Sequence, residues 1–216
     1  LFRSQTVLSL NCTFSYELSS VAKLSAGVLA RSFKGKNFQT ALDLLGGDFI
    51  VDNDKYAERD FPNDSLALQN DLDVPNEIVK EGEQYGYNYN THIRSAQPWA
   101  QLDFTLRKFD IFAAANVGFT NIWREGLVRN GRFPDNSRGN SEKQKFTTYG
   151  IKAGTTYKLN GRNYLYANAG YMTQAPLVRD IFQSPRTRNT TIPNLTTEKT
   201  LSAEAGYILR APVLKA

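Results

Sequence analysis

The chain has 216 residues, a formal net charge of +5 and a mean hydropathy of −0.45. No stretch approaches the roughly 18 consecutive apolar residues of a membrane-spanning helix, which excludes a helical membrane protein. The positive charge is spread along the chain without a basic block, so no nucleic-acid partner is expected. The 11 Tyr and 13 Phe residues favour an all-β class, and the single cysteine excludes an internal disulfide.

The first predicted strand covers residues 7–18, where apolar and polar side chains alternate without a break. Leu8, Leu10 and Phe14 share one face, whereas Asn11 and Thr13 lie on the other. A strand of this length is long against the usual 5–6 or so residues of soluble sheets. It matches the roughly 9–11 residues that cross a bilayer when tilted. The pattern therefore predicts a transmembrane β-barrel.

Six further stretches repeat this alternation and predict six more strands. They cover residues 22–32, 99–108, 111–123, 146–159, 164–174 and 197–209. The links between strands are alternately short and long, and the long ones cover residues 35–98, 124–145 and 175–194. Outer-membrane barrels have this arrangement, because their periplasmic turns are short and their extracellular loops long.

Seven strands cannot close a single-chain bacterial barrel, which uses an even number of strands. We therefore expect residues 1–216 to be part of a single antiparallel up-and-down transmembrane β-barrel domain. They would form a seven-strand fragment of a larger barrel, and the strands that close it would lie outside this sequence.

The long links differ in charge. Residues 35–98 contain 12 acidic and 5 basic residues, a balance of −7. Residues 124–145 contain six basic and three acidic residues, a balance of +3, and residues 175–194 contain three basic residues and one acidic residue, a balance of +2. We expect the acidic loop to fold over the basic ones as part of a lid. The alternative is a hydrated acidic loop without a partner, because exposed ion pairs contribute little stability.

Ligand binding is predicted in the loops and the lumen. The tyrosines of residues 85–89 offer aromatic faces beside glycine and amide groups, a mixture suited to sugars, peptides or aromatic chelates. The alternative is a surface hairpin whose tyrosines pack on neighbouring loops. The candidate ligand-binding residues are Tyr85, Tyr87, Tyr89, His92, Arg124 and Arg179.

No enzymatic activity, cofactor or dedicated metal site is expected. His92 has no Ser or Cys partner in a recognisable catalytic motif. Glu198 and Glu204 lie six residues apart on one strand face, about 20 Å and too far for joint acid–base catalysis. The run of residues 52–54 begins like a calcium loop but lacks the Gly and Glu that complete one, which leaves only looser calcium binding by the acidic loop open.

Residues 168–207 resemble the late barrel of TonB-dependent outer-membrane receptors. The similarity rests on the segments Gln174-Ala175-Pro176, Asn194-Leu195-Thr196-Thr197-Glu198-Lys199 and Glu204-Ala205-Gly206-Tyr207. The run Lys152-Ala153-Gly154 is similar to receptors of Bacteroidetes-type bacteria. The resemblance implies a barrel of 22 strands or so around an N-terminal plug outside this sequence. It further implies binding of a scarce nutrient at extracellular loops, followed by import with energy from TonB.

The resemblance also implies partners. These are the TonB complex through an absent N-terminal region, the bilayer with its lipopolysaccharide, and a small-molecule, glycan or peptide ligand. Whether a surface lipoprotein covers the barrel stays open. Two alternatives remain: an outer-membrane channel or adhesin without TonB coupling, and a soluble β-rich carbohydrate-binding module.

Overall fold

The computed structural model describes residues 2–210. The elements in chain order are β1 (Phe2–Ser19), β2 (Ala22–Thr40), β3 (Ile50–Val51), α1 (Lys55–Asp60), β4 (Ile78–Val79), β5 (Gln84–Thr105), β6 (Phe109–Gly126), β7 (Gly139–Asn140), β8 (Gln144–Lys158), β9 (Asn163–Gln174), a 3-10 helix (Val178–Asp180) and β10 (Glu198–Leu209). No helix among the described residues is long and apolar enough to cross a membrane.

Seven long strands form the main sheet in the order β1-β2-β5-β6-β8-β9-β10. Long strands that follow one another in the chain pair antiparallel, so the sheet is an up-and-down meander. This confirms the predicted all-β class and the seven strands. Within residues 2–210, β1 and β10 each pair on one side only, which leaves the sheet open.

The two faces of the sheet differ in chemistry. On β6 the odd-numbered residues from Phe109 to Phe119 are apolar or small and exposed. The register of all seven strands places similar residues beside them, for example in the row Phe14, Ala26, Ala100, Ala115, Ile151, Tyr171 and Leu201. We call this side the apolar face. The opposite side, the polar face, carries mainly Ser, Thr, Asn, Gln, Gly and charged residues.

β2 and β5 extend well beyond their predicted limits. Residues 35–40 continue β2 and residues 84–98 belong to β5, so the first long loop covers residues 41–83 instead of 35–98. In the β5 extension the aromatic and apolar residues from Tyr85 to Ile93 fall on odd positions, whereas those from Ala96 to Phe104, except Trp99, fall on even positions, so the alternation changes phase within one strand. The β2 extension shows no regular alternation. The sequence pattern therefore predicted a loop. Pro98 lies inside β5, and the β5–β6 ladder skips positions 97 and 98 because proline has no N–H to donate.

The other two long loops keep nearly their predicted places, at residues 127–143 and 175–197. The three long loops are called L1 (41–83), L2 (127–143) and L3 (175–197). L3 folds back over the polar face, where its Ile181 and Phe182 are buried against Ile122 of β6 and Phe146 of β8. This hydrophobic cluster lies at the loop end of the sheet, so the core of the molecule holds the loops in place.

Candidate functional site

A cleft of about 310 Å³ opens where the ends of β2 and β5 meet the three long loops, and we call it the loop cleft. Its wall combines aromatic rings, amides and a few charged groups. The lining residues are Gln39, Asn53, Asp54, Lys55, Tyr56, Asn70, Tyr85, Gly86, Tyr87, Val128, Asn130, Arg186 and Thr187. Small-molecule sites commonly measure about 300–1,000 Å³, so the cleft is of a size that holds a small ligand.

Asp52 fixes the floor of the loop cleft by joining L1 to β5. Its buried carboxylate accepts hydrogen bonds from the backbone N–H of Gly86 at 2.9 and 3.0 Å and from Asn70 Nδ2 at 2.7 Å. Gly86 has a φ of +71°, and a Cβ there would lie 2.5 Å from Gln39 Oε1. The contact therefore needs glycine for its backbone conformation, whereas the Gln39 side chain could move aside.

Burial raises the pKa of the Asp52 carboxyl above its ordinary value of 3.8, because the loss of water outweighs the two hydrogen bonds that favour the charged form. The native state then binds more protons than the unfolded state between the unfolded and folded pKa values. Stability is therefore greatest below the unfolded pKa and falls as the pH rises through the folded pKa.

Asp52→Asn keeps an acceptor for Gly86 and is expected to remove this part of the pH dependence. The measurement is the difference in thermal unfolding midpoint between wild type and variant over a pH series from about 3 to about 7, the range around carboxylate titration. The variant should gain stability relative to wild type as the pH rises. A difference that stays constant, or that changes in the opposite direction, would contradict the role of Asp52.

Asp54 positions the side of the loop cleft. As the N-cap of α1, its carboxylate accepts from the backbone N–H of Tyr56 at 2.9 Å and of Ala57 at 3.3 Å. The same carboxylate lies 3.6 Å from Arg132 Nη1 of L2. One side chain thus begins the short helix, connects L1 to L2 and leaves the Tyr56 ring 67% exposed at the cleft.

The rings of two tyrosines of β5 each make a cation–π contact with an arginine of another segment. The rings of Tyr87 and Tyr89 lie 5.9 Å apart. The Arg186 guanidinium of L3 lies 5.1 Å over Tyr87, and that of Arg124 lies 5.1 Å over Tyr89. Such contacts are attractive because the ring face is electron-rich, and burial strengthens them. The Arg186 contact attaches L3 to the end of β5 beside the cleft, and the Arg124 contact joins β6 to β5.

Arg124 at the end of β6 holds L2 and L3 together. Its side chain is 1% exposed. Nη1 donates to the Ser137 carbonyl at 2.7 Å and also to Asn189 Oδ1, and Nε donates to the Pro185 carbonyl at 2.6 Å. All of these acceptors are neutral oxygens. Arg124 is therefore a buried connector between loops.

The predicted contact between the acidic loop L1 and the basic loop L2 is present. Arg129 Nη2 lies 2.9 Å from Asp73 Oδ1, and Arg138 also pairs with the Asp73 carboxylate. Backbone hydrogen bonds join the same loops, from Leu72 to the Arg129 carbonyl and from Gly131 to the Gln69 carbonyl. L1 and L2 therefore form one layer that both backbone hydrogen bonds and ion pairs hold together.

The structure places the six candidate ligand-binding residues at different sites. Tyr85 and Tyr87 line the loop cleft. Tyr89 and Arg124 stack on each other beside it, and Arg179 is exposed on the 3-10 helix, 3.6 Å from Asp180. His92 is on the apolar face, where it stacks on Trp123. The expectation that the tyrosines and His92 lie in a loop was wrong, because all four belong to β5.

Several cleft residues were not predicted from the sequence. Arg186, Tyr56 and the amides Asn53, Asn70 and Asn130 come from three separate loops and share no spacing that a sequence pattern could show. Among the described residues, no three His, Cys, Asp or Glu side chains are grouped so as to hold a metal ion.

Comparisons with known proteins place a solved outer-membrane protein among the structures that this chain is similar to. No protein-family model matches the chain, and no curated protein matches it. The crystal structure of a Pseudomonas aeruginosa FadL homologue is similar with a TM-score of 0.49 and 13% sequence identity. The match covers 98% of this chain and 48% of the homologue, so this chain spans about half the length of that protein.

Proposed function

We propose that the chain forms part of the wall of an outer-membrane β-barrel that binds a ligand at its loops and transports it. The observation that supports this most is the apolar face. From Phe109 to Phe119 the apolar side chains of β6 extend over ten residue steps, or about 34 Å at the normal rise. Strands tilted by about 35–45° bring this to roughly 24–28 Å, close to the apolar band of about 25 Å on such barrels.

The exposure of this face also favours lipid as its surroundings. Leu8, Ile151 and Leu201 on three different strands are 74%, 62% and 80% exposed. Soluble monomers rarely expose a contiguous apolar patch of more than a few hundred Å². An apolar face across seven strands is therefore better explained by contact with a membrane than with water.

Closure of the barrel requires strands beyond these seven. A sheet edge in lipid would leave backbone N–H and C=O groups without hydrogen-bond partners. Each such group would cost several kcal/mol of free energy. β1 and β10 pair on one side only within the described residues, so in the proposed barrel each pairs with a further strand. The three long loops then lie outside the cell and the short turns in the periplasm.

The loops are placed to bind a ligand at the barrel mouth. L3 packs on the polar face, which becomes the lumen side of the proposed barrel, and L1 and L2 join it around the loop cleft. Tyr85, Tyr87 and the neighbouring amides offer ring faces and hydrogen-bonding groups together. This chemistry suits a small polar ligand with apolar faces, such as a sugar or a short peptide.

Energy coupling through TonB is a further part of the proposal, supported by the resemblance of residues 168–207 to TonB-dependent receptors. Uptake by cells that express the full-length protein tests it, with isogenic strains that contain or lack TonB. Uptake that disappears without TonB is the expected result. Uptake that continues without TonB would favour the alternative of an uncoupled channel, and surface binding without uptake would favour an adhesin.

The native Cys12 reports whether the apolar face contacts lipid. Cys12 is exposed on the apolar face of β1. A thiol surrounded by hydrocarbon is not accessible to a polar reagent. In outer membranes, Cys12 is therefore expected to resist a membrane-impermeant maleimide and to react fully after denaturation. Rapid labelling in intact membranes, detected by mass spectrometry, would contradict lipid contact on this strand.

A further inference from the structure

The loop end of the apolar face carries a group of basic residues. The pairing register forms two adjacent rows across the strands, the first through Arg94, Asn121 and Lys145 and the second through Lys34, His92 and Trp123. Lys36 follows in the next row. Neighbouring strands lie about 4.8 Å apart, so these side chains form one patch.

Trp123 lies at the centre of this patch. Its indole stacks on His92 with ring centroids 4.8 Å apart and an interplanar angle of 4°. Arg94 lies 5.3 Å and Lys143 5.1 Å from the ring centroid. The nearby acidic group Glu125 already accepts from His92 at 2.8 Å and from Asn90 at 2.9 Å. The lysines and Arg94 therefore present a net positive charge around a buried aromatic ring.

The charged residues of the apolar face are confined to one end of the strands. In the described part of the seven long strands, the Lys, Arg, Asp and Glu residues on this face are Lys34, Lys36, Arg94, Glu125, Lys145 and Lys199. All of them lie toward the long loops. The end next to the short turns has Tyr, Phe, Leu and Ile in the corresponding positions, so a basic rim is not a general property of this surface.

An apolar depression lies below the basic patch on the same face. Its volume is about 640 Å³, and small residues such as Ala100, Ala115 and Ala153 form its base between the larger Leu24 and Ile151. Arg94 and Ala100 are six residues apart on β5, about 20 Å along the strand. At the tilt of barrel strands this corresponds to about 15 Å of depth, the thickness of one leaflet.

We propose that this surface binds a phosphate-bearing lipid of the leaflet on the loop side. The Lys34, Arg94 and Lys143 side chains contact the phosphate, while the acyl chains reach down to the alanine depression. Arginine and lysine bind phosphate through charge-assisted hydrogen bonds, and each basic group near an anionic membrane surface contributes about a fivefold gain in affinity. The inference rests on the proposed membrane location and adds a lipid partner to it.

The test measures lipid binding to the full-length protein in neutral detergent by native mass spectrometry. The probes are phosphatidic acid, the diacylglycerol with the same acyl chains, and glycerol 3-phosphate, which has the phosphate without the chains. The variant combines Lys34→Gln, Arg94→Gln and Lys143→Gln. The matched control combines Lys23→Gln, Arg31→Gln and Lys152→Gln, which removes the same charge from the polar face.

The expected result is that phosphatidic acid binds the wild type and the control, and binds the variant about a hundredfold more weakly. Equal binding to variant and control would overturn the proposal, as would equal binding of diacylglycerol and phosphatidic acid. Glycerol 3-phosphate that binds as tightly as phosphatidic acid would also overturn it, because the site would then recognise a soluble phosphate. The wild type, the variant and the control are also run on a gel unheated and boiled, and a closed barrel migrates faster unheated. If all three show this shift, a negative lipid result overturns only the lipid proposal, whereas a wild type without the shift would overturn the membrane location itself.

Discussion

Arg124→Met is expected to destabilise the loop layer by about 3–5 kcal/mol, because the buried acceptors of Ser137, Pro185 and Asn189 lose their donors together. Methionine fills much of the space of the arginine stem, so the change in stability reports mainly the loss of the guanidinium group. Urea unfolding followed by circular dichroism measures the global effect, and limited proteolysis of L3 measures the local one. L3 should be cut much faster in the variant.

Arg179→Met provides the control for the loss of an arginine from the same region. Arg179 is exposed and pairs only loosely with its neighbour Asp180, at 3.6 Å, so its loss should change stability by less than about 0.5 kcal/mol. Arg124→Lys keeps the charge but lacks the planar fork that reaches several carbonyls, and an intermediate effect is expected. Equal protease resistance of L3 in Arg124→Met and Arg179→Met would contradict the connector role.

Ala115→Lys is expected to destabilise the protein in a bilayer by about 2–4 kcal/mol, whereas Ala114→Lys should change its stability by less than about 1 kcal/mol. The two alanines are adjacent in the middle of β6 but lie on opposite faces. Both changes add the same side chain to the same strand. Only the change on the apolar face places an ammonium group at the bilayer midplane.

Urea unfolding from phosphatidylcholine bilayers measures both variants of the full-length protein. A large effect of Ala115→Lys alone supports lipid contact on the apolar face. Equal effects of the two lysines would contradict it, and a larger effect of Ala114→Lys would indicate that the polar face is the buried one.

The sequence predicted the strands where one face has a uniform apolar environment. In residues 7–18 and 111–123 the side chains alternate with period two, and both stretches are strands. The prediction failed at residues 84–98, where the sheet extends beyond the apolar band. There the aromatic and apolar residues from Tyr85 to Ile93 lie on odd positions, and Ile93 packs against the L3 cluster, whereas the apolar residues from Ala96 to Phe104, except Trp99, lie on even positions. The alternation therefore changes phase within one strand, and a continuous period-two pattern ends before it.

The loop cleft could be predicted only in part. Tyr85 and Tyr87 were identified because a Tyr-Gly-Tyr run is conspicuous in any context. Arg186 and Asn130 reach the same cleft from loops that are distant in sequence, and their meeting depends on tertiary contacts such as those of Arg124 and Asp52. Arg124 itself was proposed as a ligand contact because its burial is not visible in the sequence.

The central claim is that these strands belong to a closed outer-membrane barrel. Membrane fractionation of the full-length native protein, combined with a gel of unheated and boiled samples, tests it most directly. We predict that the protein is found in the outer-membrane fraction and migrates faster unheated than boiled, since a closed barrel stays folded in detergent. A protein that is soluble without detergent and migrates equally in both samples would contradict the claim and favour a secreted β-rich binding module.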